Sequence, residues 1–167
     1  MRTRLILTAA VCAAASSVAL AAAPSGLRPL PMQQIPQQCH DLAWFPPSAR
    51  TPEPELSAHI SVANCWAMAE LANRGLKADV ASMNALDTSL RASNAILDDV
   101  IARSDGQLRQ IAAASKADLY RGMVVRMRDT PGTQEQHAAL ERRYGNWLAM
   151  ADRADRTAGR TVVGTRR

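Results

Sequence analysis

An all-α fold is predicted, an antiparallel four-helix bundle behind a Pro/Gln-rich segment, and three observations carry that expectation. From about Glu55 onward, apolar residues recur at three- and four-residue spacing, the period of a half-buried helix. No strand-like alternation of useful length interrupts them, because Val124-Val125 falls inside a helical stripe. Gly-, Pro- and Asp-containing breaks then divide the pattern into runs of roughly 20 to 26 residues with short connections, which favours up-and-down packing.

Each element has its own signals. The first helix is expected over residues 53–73, with Leu56, Ile60, Ala63, Ala67 and Leu71 on one stripe and Gly75 as a stop. Asp79 is placed to cap a second helix carrying Met83, Leu86, Leu90, Leu97, Val100 and Ile101. A third, with Leu108, Ile111, Leu119 and Met123, runs to about Arg128. Asp129-Thr130-Pro131-Gly132 is a strong break. Thr133 followed by Gln136 is a capping-box pattern for a last helix that buries Leu140, Tyr144, Trp147 and Leu148 and fades near Gly159. Gly122 and Gly145 fall within the third and fourth helices, where close helix contact is the expected use of a missing side chain.

One boundary has an alternative. The apolar stripe passes through Ser104-Asp105-Gly106 in register, and a single Gly costs a helix only about 1 kcal/mol relative to Ala. The fold would then be three helices with one long central helix spanning about 79–128, which would almost require a partner chain.

The chain opens with Arg2 and Arg4, then an uncharged Ala- and Leu-rich run from Leu5 to Leu20, then small residues at Ala19 and Ala21. That order is the signature of a secretory signal peptide over residues 1–21. The expected organisation continues with a Pro/Gln-rich extended segment at 22–54, a helical domain at 55–158 and a basic tail at 159–167. Eight of the nine prolines fall between Pro24 and Pro54. Within that stretch Trp44-Phe45 is the one concentrated aromatic spot, expected either to plug onto the domain or to serve as an exposed docking patch.

Export changes how the rest is read. Removal of Arg2 and Arg4 leaves 18 basic against 15 acidic residues, with acids interspersed among the arginines of the third helix. This is no clustered basic face, so nucleic acid is not expected as a partner. After signal cleavage no segment approaches about 18 uncharged apolar residues, so no membrane span is expected. Two cysteines survive cleavage, Cys39 and Cys65, and in an oxidising compartment an even pair is most simply a disulfide. Closing a loop of about 27 residues contributes roughly 3.5 kcal/mol in the chain-entropy model.

A metal set of Cys39, His40, His59 and Cys65 is disfavoured by spacing. His59 and Cys65, six apart on a helix, point about 240° around and lie roughly 9 Å along from each other, whereas ligands on one helix need a spacing of three or four. His137 and Glu141 share a helical face as an ordinary surface pair; no Glu precedes a His by three, as a di-iron bundle requires. No haem-attachment motif, Gly-rich phosphate loop or Gly-x-Ser-x-Gly elbow occurs. The dispersed methionines read as filler for an Ala-rich core. No cofactor and no catalytic residue are assigned. The expected function is that of an exported, periplasmic or extracellular, non-enzymatic protein that contacts another envelope protein through Trp44 and Phe45 or a helix face, with room for a homo-oligomer. The alternative is a small-ligand or metal carrier using the bundle interior.

Overall fold

The structure, a computed structural model, describes residues 26–45, 51–72 and 75–160. Among these every regular element is helical: a short 3-10 helix at Gln37–Ala43, then α1 (Glu53–Leu71), α2 (Val80–Arg103), α3 (Gly106–Asp129), α4 (Gln134–Tyr144) and α5 (Asn146–Thr157). The signal-peptide region and most of the basic tail lie outside the described residues. No described helix is long and apolar enough to cross a membrane.

The helix starts follow the predicted chemistry. Pro54 sits in the first turn of α1, where a missing N–H has no intrahelical acceptor to lose, and Glu53 and Glu55 face the positive end of the helix dipole. Asp79 caps α2, its Oδ1 accepting from the Ser82 N–H at 2.7 Å. That backbone hydrogen bond holds the Asp79 carboxyl below its usual range. At α4 both halves of the capping box form: Thr133 Oγ1 accepts from the Gln136 N–H, and Gln136 Oε1 accepts from the Thr133 N–H.

α2 and α3 are a hairpin, not one rod. The Ser104 backbone N–H and hydroxyl both donate to the Val100 carbonyl and finish α2. Gly106, at φ +49°, turns the chain through the left-handed region to start α3. The long-central-helix alternative is therefore corrected. The stripe stays in register across the break because the two helices pack on each other, as Asn94 against Tyr120 and Lys116 against Asp98 show.

α1, α2 and α3 pack on one another, and α5 packs on α3. Ser93 of α2 donates to the Ala63 carbonyl of α1 at 2.8 Å, and Asn64 of α1 donates to Ser115 of α3 at 3.1 Å. The core combines Met83, Leu90, Leu97, Met123 and Met127 with alanines at 112, 113 and 117, all buried. A Cβ at Gly122 would stand 2.7 Å from Leu71 Cδ1, so Gly122 is a point of close approach between α3 and α1.

The expected single last helix is broken at Gly145, so Gly145 serves a bend instead of helix contact. A Cβ there would lie 2.7 Å from the Glu141 carbonyl oxygen, which leaves glycine as the residue that fits. The Tyr144 and Trp147 rings stack across the break with centroids 4.6 Å apart, and the Tyr144 hydroxyl donates to Asn84 of α2. Leu148, expected inside, is exposed. Met32 and Met68 are exposed as well, so two of the methionines are not core filler.

Candidate functional site

Cys39, Cys65 and His59, singled out in the sequence, lie along one strip of the molecule, where residues 26–45 lie against α1 and α2 as a strap. The strap is not uniformly extended. Leu27 and Ile35 enter the core, and Gln37–Ala43 wind into the 3-10 helix that packs on α1. Two apolar side chains in a segment this rich in proline and glutamine gave too faint a period to register as structure.

Three kinds of link hold the strap. The first is covalent: Cys39, fully buried, is joined to Cys65 of α1 with a Cα–Cα distance of 5.8 Å. The second is ionic in part. The Arg28 backbone N–H donates to Asp99 Oδ2 of α2 at 2.7 Å, and Asp99 Oδ1 accepts from Arg103 Nε at 3.0 Å. Burial pushes the Asp99 carboxyl up, but the Arg28 and Arg103 hydrogen bonds and nearby positive charge outweigh it, and the net shift is downward. The third is His59 of α1, buried beneath the strap, whose Nε2 lies 3.2 Å from the Arg28 carbonyl oxygen. Nothing in the sequence pattern flagged Arg28, His59 and Asp99 as one group. They are brought together by a strap crossing two helices.

The bond geometry also decides what the Cys/His set can do. Both thiols are consumed in the disulfide. His59 has each ring nitrogen against a backbone carbonyl, and His40 Nε2 lies 3.0 Å from the Ile35 carbonyl. Cys39, His40, His59 and Cys65 are thus each committed to a disulfide or to a backbone carbonyl. His137 and Glu141 are also not a pair: Arg128 donates to Glu141 at 3.4 Å.

At its downstream end the 3-10 helix stops at Trp44, in extended backbone. The Trp44 ring is 72% exposed, Leu42 is exposed, and Phe45 is half-buried. The packed-plug expectation therefore fails for Trp44. On α1, one turn beyond Cys65, Met68 is 67% exposed. The disulfide thus stands beside large apolar side chains that the core does not cover.

Compared with known proteins, the chain matches no protein-family model, no curated protein and no solved structure.

Proposed function

We propose that this chain is an exported, non-enzymatic helical protein that docks on another protein of the bacterial envelope through the strap end around Trp44. The observation that carries this reading is a tryptophan ring displayed at 72% exposure at the end of a covalently anchored element. Tryptophan is the side chain most enriched among residues that dominate interfaces, and a preorganised support lowers the entropy lost on binding. Phe45, half-buried beside it, forms the inner edge of the same feature.

Export rests on the Arg2/Arg4-led apolar leader over residues 1–21 and is supported by the Cys39–Cys65 disulfide, a bond that persists in oxidising compartments such as the periplasm or the extracellular space. In this reading α1, α2, α3 and the α4–α5 pair are the four rods of an antiparallel bundle that acts as the rigid platform. A photo-crosslinking residue at position 42, exposed beside an intact Trp44 and placed in the full-length chain in producing cells, tests it. A discrete adduct that competes away with excess native protein, and not with a Trp44→Ser variant, is expected. Absence of any adduct from position 42 overturns the docking role.

A second reading, a small-ligand carrier, is favoured by a cleft of about 150 Å3 between α2, α3 and α5, lined by Ile101, Lys116, Tyr120, Met150 and Arg153. Native mass spectrometry of protein released gently from cells separates the two: a co-purified small molecule supports the carrier, and apo mass alone removes it.

A further inference from the structure

His59 is 3% exposed, and both of its ring nitrogens lie against backbone carbonyl oxygens. Nδ1 is 2.9 Å from the Glu55 carbonyl of its own helix, and Nε2 is 3.2 Å from the Arg28 carbonyl of the strap. A carbonyl can only accept. A neutral imidazole carries one N–H, so it can satisfy only one of these oxygens, and with that proton on Nδ1, the nitrogen with the shorter contact, a lone pair faces the Arg28 carbonyl. The imidazolium carries two N–H groups and satisfies both. We propose that His59 is a proton-operated latch: its charged form bonds the strap to α1 through the Arg28 carbonyl, and its neutral form releases that hold.

Charged groups of both signs surround the ring. The same Arg28 residue whose carbonyl faces His59 donates its N–H to Asp99, so a carboxylate stands one residue's backbone away from the ring. On α1, Glu55 is buried one turn before His59. Opposing positive charge comes from the exposed Arg28 side chain and from Arg103 of α2, already committed to Asp99. The 3-10 helix contributes His40, bonded to the Ile35 carbonyl, and the exposed Asp41. In the register that sets Asn64 against Ser115, the ionisable α3 residue near the level of His59 is Arg109, exposed to solvent.

The consequence of release is local. Cys39–Cys65 keeps the strap tethered, while Arg28, Pro29 and Pro31 lift from a cleft of about 230 Å3 whose floor is Ala92, Ala95 and Ile96. A proton bound in the closed form and lost in the open one favours closure at lower pH and opening at higher pH.

The test uses the full disulfide-bonded chain between pH 5 and 8, where Asp99 stays ionised. Long-range nitrogen–proton NMR reads the charge state of the His59 ring, and hydrogen exchange reads the protection factor of the Arg28 amide. Two protonated ring nitrogens at pH 5 are expected, with Arg28 protection falling about tenfold over the same transition in which the ring becomes neutral. In His59→Phe, protection is expected to be low and independent of pH. A ring already neutral at pH 5, or protection that does not follow its charge, overturns the latch in the unmodified protein, whether or not the variant folds.

Discussion

Arg121 on α3 forms an ion pair with Asp155 on α5, a carboxylate that is only 2% exposed. Arg121 also bonds Asp118 at 3.1 Å, and Arg160, just beyond α5, reaches Asp118 at 3.1 Å and Asp155 at 3.8 Å. Gly159, at φ +70°, lets the chain turn back so that the Arg160 N–H donates to the Asp155 carbonyl. Two arginines and two aspartates thus clasp the last helix onto the third.

The two partners are not equivalent. Arg121→Ala leaves a buried carboxylate whose nearest remaining cation is Arg160, whereas Asp155→Ala leaves an arginine that is 41% exposed and still paired with Asp118. Loss of about 2–3 kcal/mol is expected for Arg121→Ala and about 1 kcal/mol less for Asp155→Ala, read as shifts in the urea midpoint.

Replacing both cysteines, as Cys39→Ala with Cys65→Ala, is expected to lower stability by roughly 3 kcal/mol. The helical circular dichroism should remain, because α1, α2 and α3 hold one another without the strap. Faster exchange of the amides around Leu27 and Ile35 should accompany it. Loss of the helical signal would show instead that the strap is required for the bundle.

Gly106→Ala tests the turn between α2 and α3. A Cβ there meets nothing within 4 Å, so its cost lies in the backbone at φ +49° and is expected to be about 1–2 kcal/mol. Gly106→Asn should cost less, since asparagine tolerates the left-handed region better. Equal losses in thermal unfolding would argue against a conformational origin.

Asp99 gives a pH signature. Its carboxyl is held down in the folded protein, so its contribution is complete above the unfolded value of about 3.9 and is lost as pH falls through the lower folded value. The stability gap between the native chain and Asp99→Ala should be constant near neutrality and close progressively below about pH 4. A gap that widened in acid would contradict the Arg28–Asp99 bond.

Much of the helical layout was legible because its signals are local. Asp79, the Thr133/Gln136 box and the Ser104–Gly106 break act within one turn of the chain. The bend at Gly145 was not legible, because Tyr144, Trp147 and Ala151 keep the apolar period through it. The strap was half legible. Counting cysteines, with export expected, predicted its covalent tie, but Leu27, Arg28, Ile35 and His59 acquire meaning only when distant parts of the chain meet, as Arg28 and His59 do at a separation of 31. The exposure of Trp44 was open in the sequence for the same reason, since burial is decided by what covers a ring.

The Cys39–Cys65 bond also changes the connectivity of the chain. Every peptide bond between those two residues belongs to a closed covalent ring that contains the 3-10 helix from Cys39 onward, Trp44 and the first two-thirds of α1. A single scission anywhere in that ring leaves one molecule, its two pieces still joined and the strap still seated. Separation of the piece that holds Cys39 from the piece that holds Cys65 requires a reductant. The display of Trp44 is therefore buffered against proteolytic nicking in a way that an unbridged amino-terminal arm would not be.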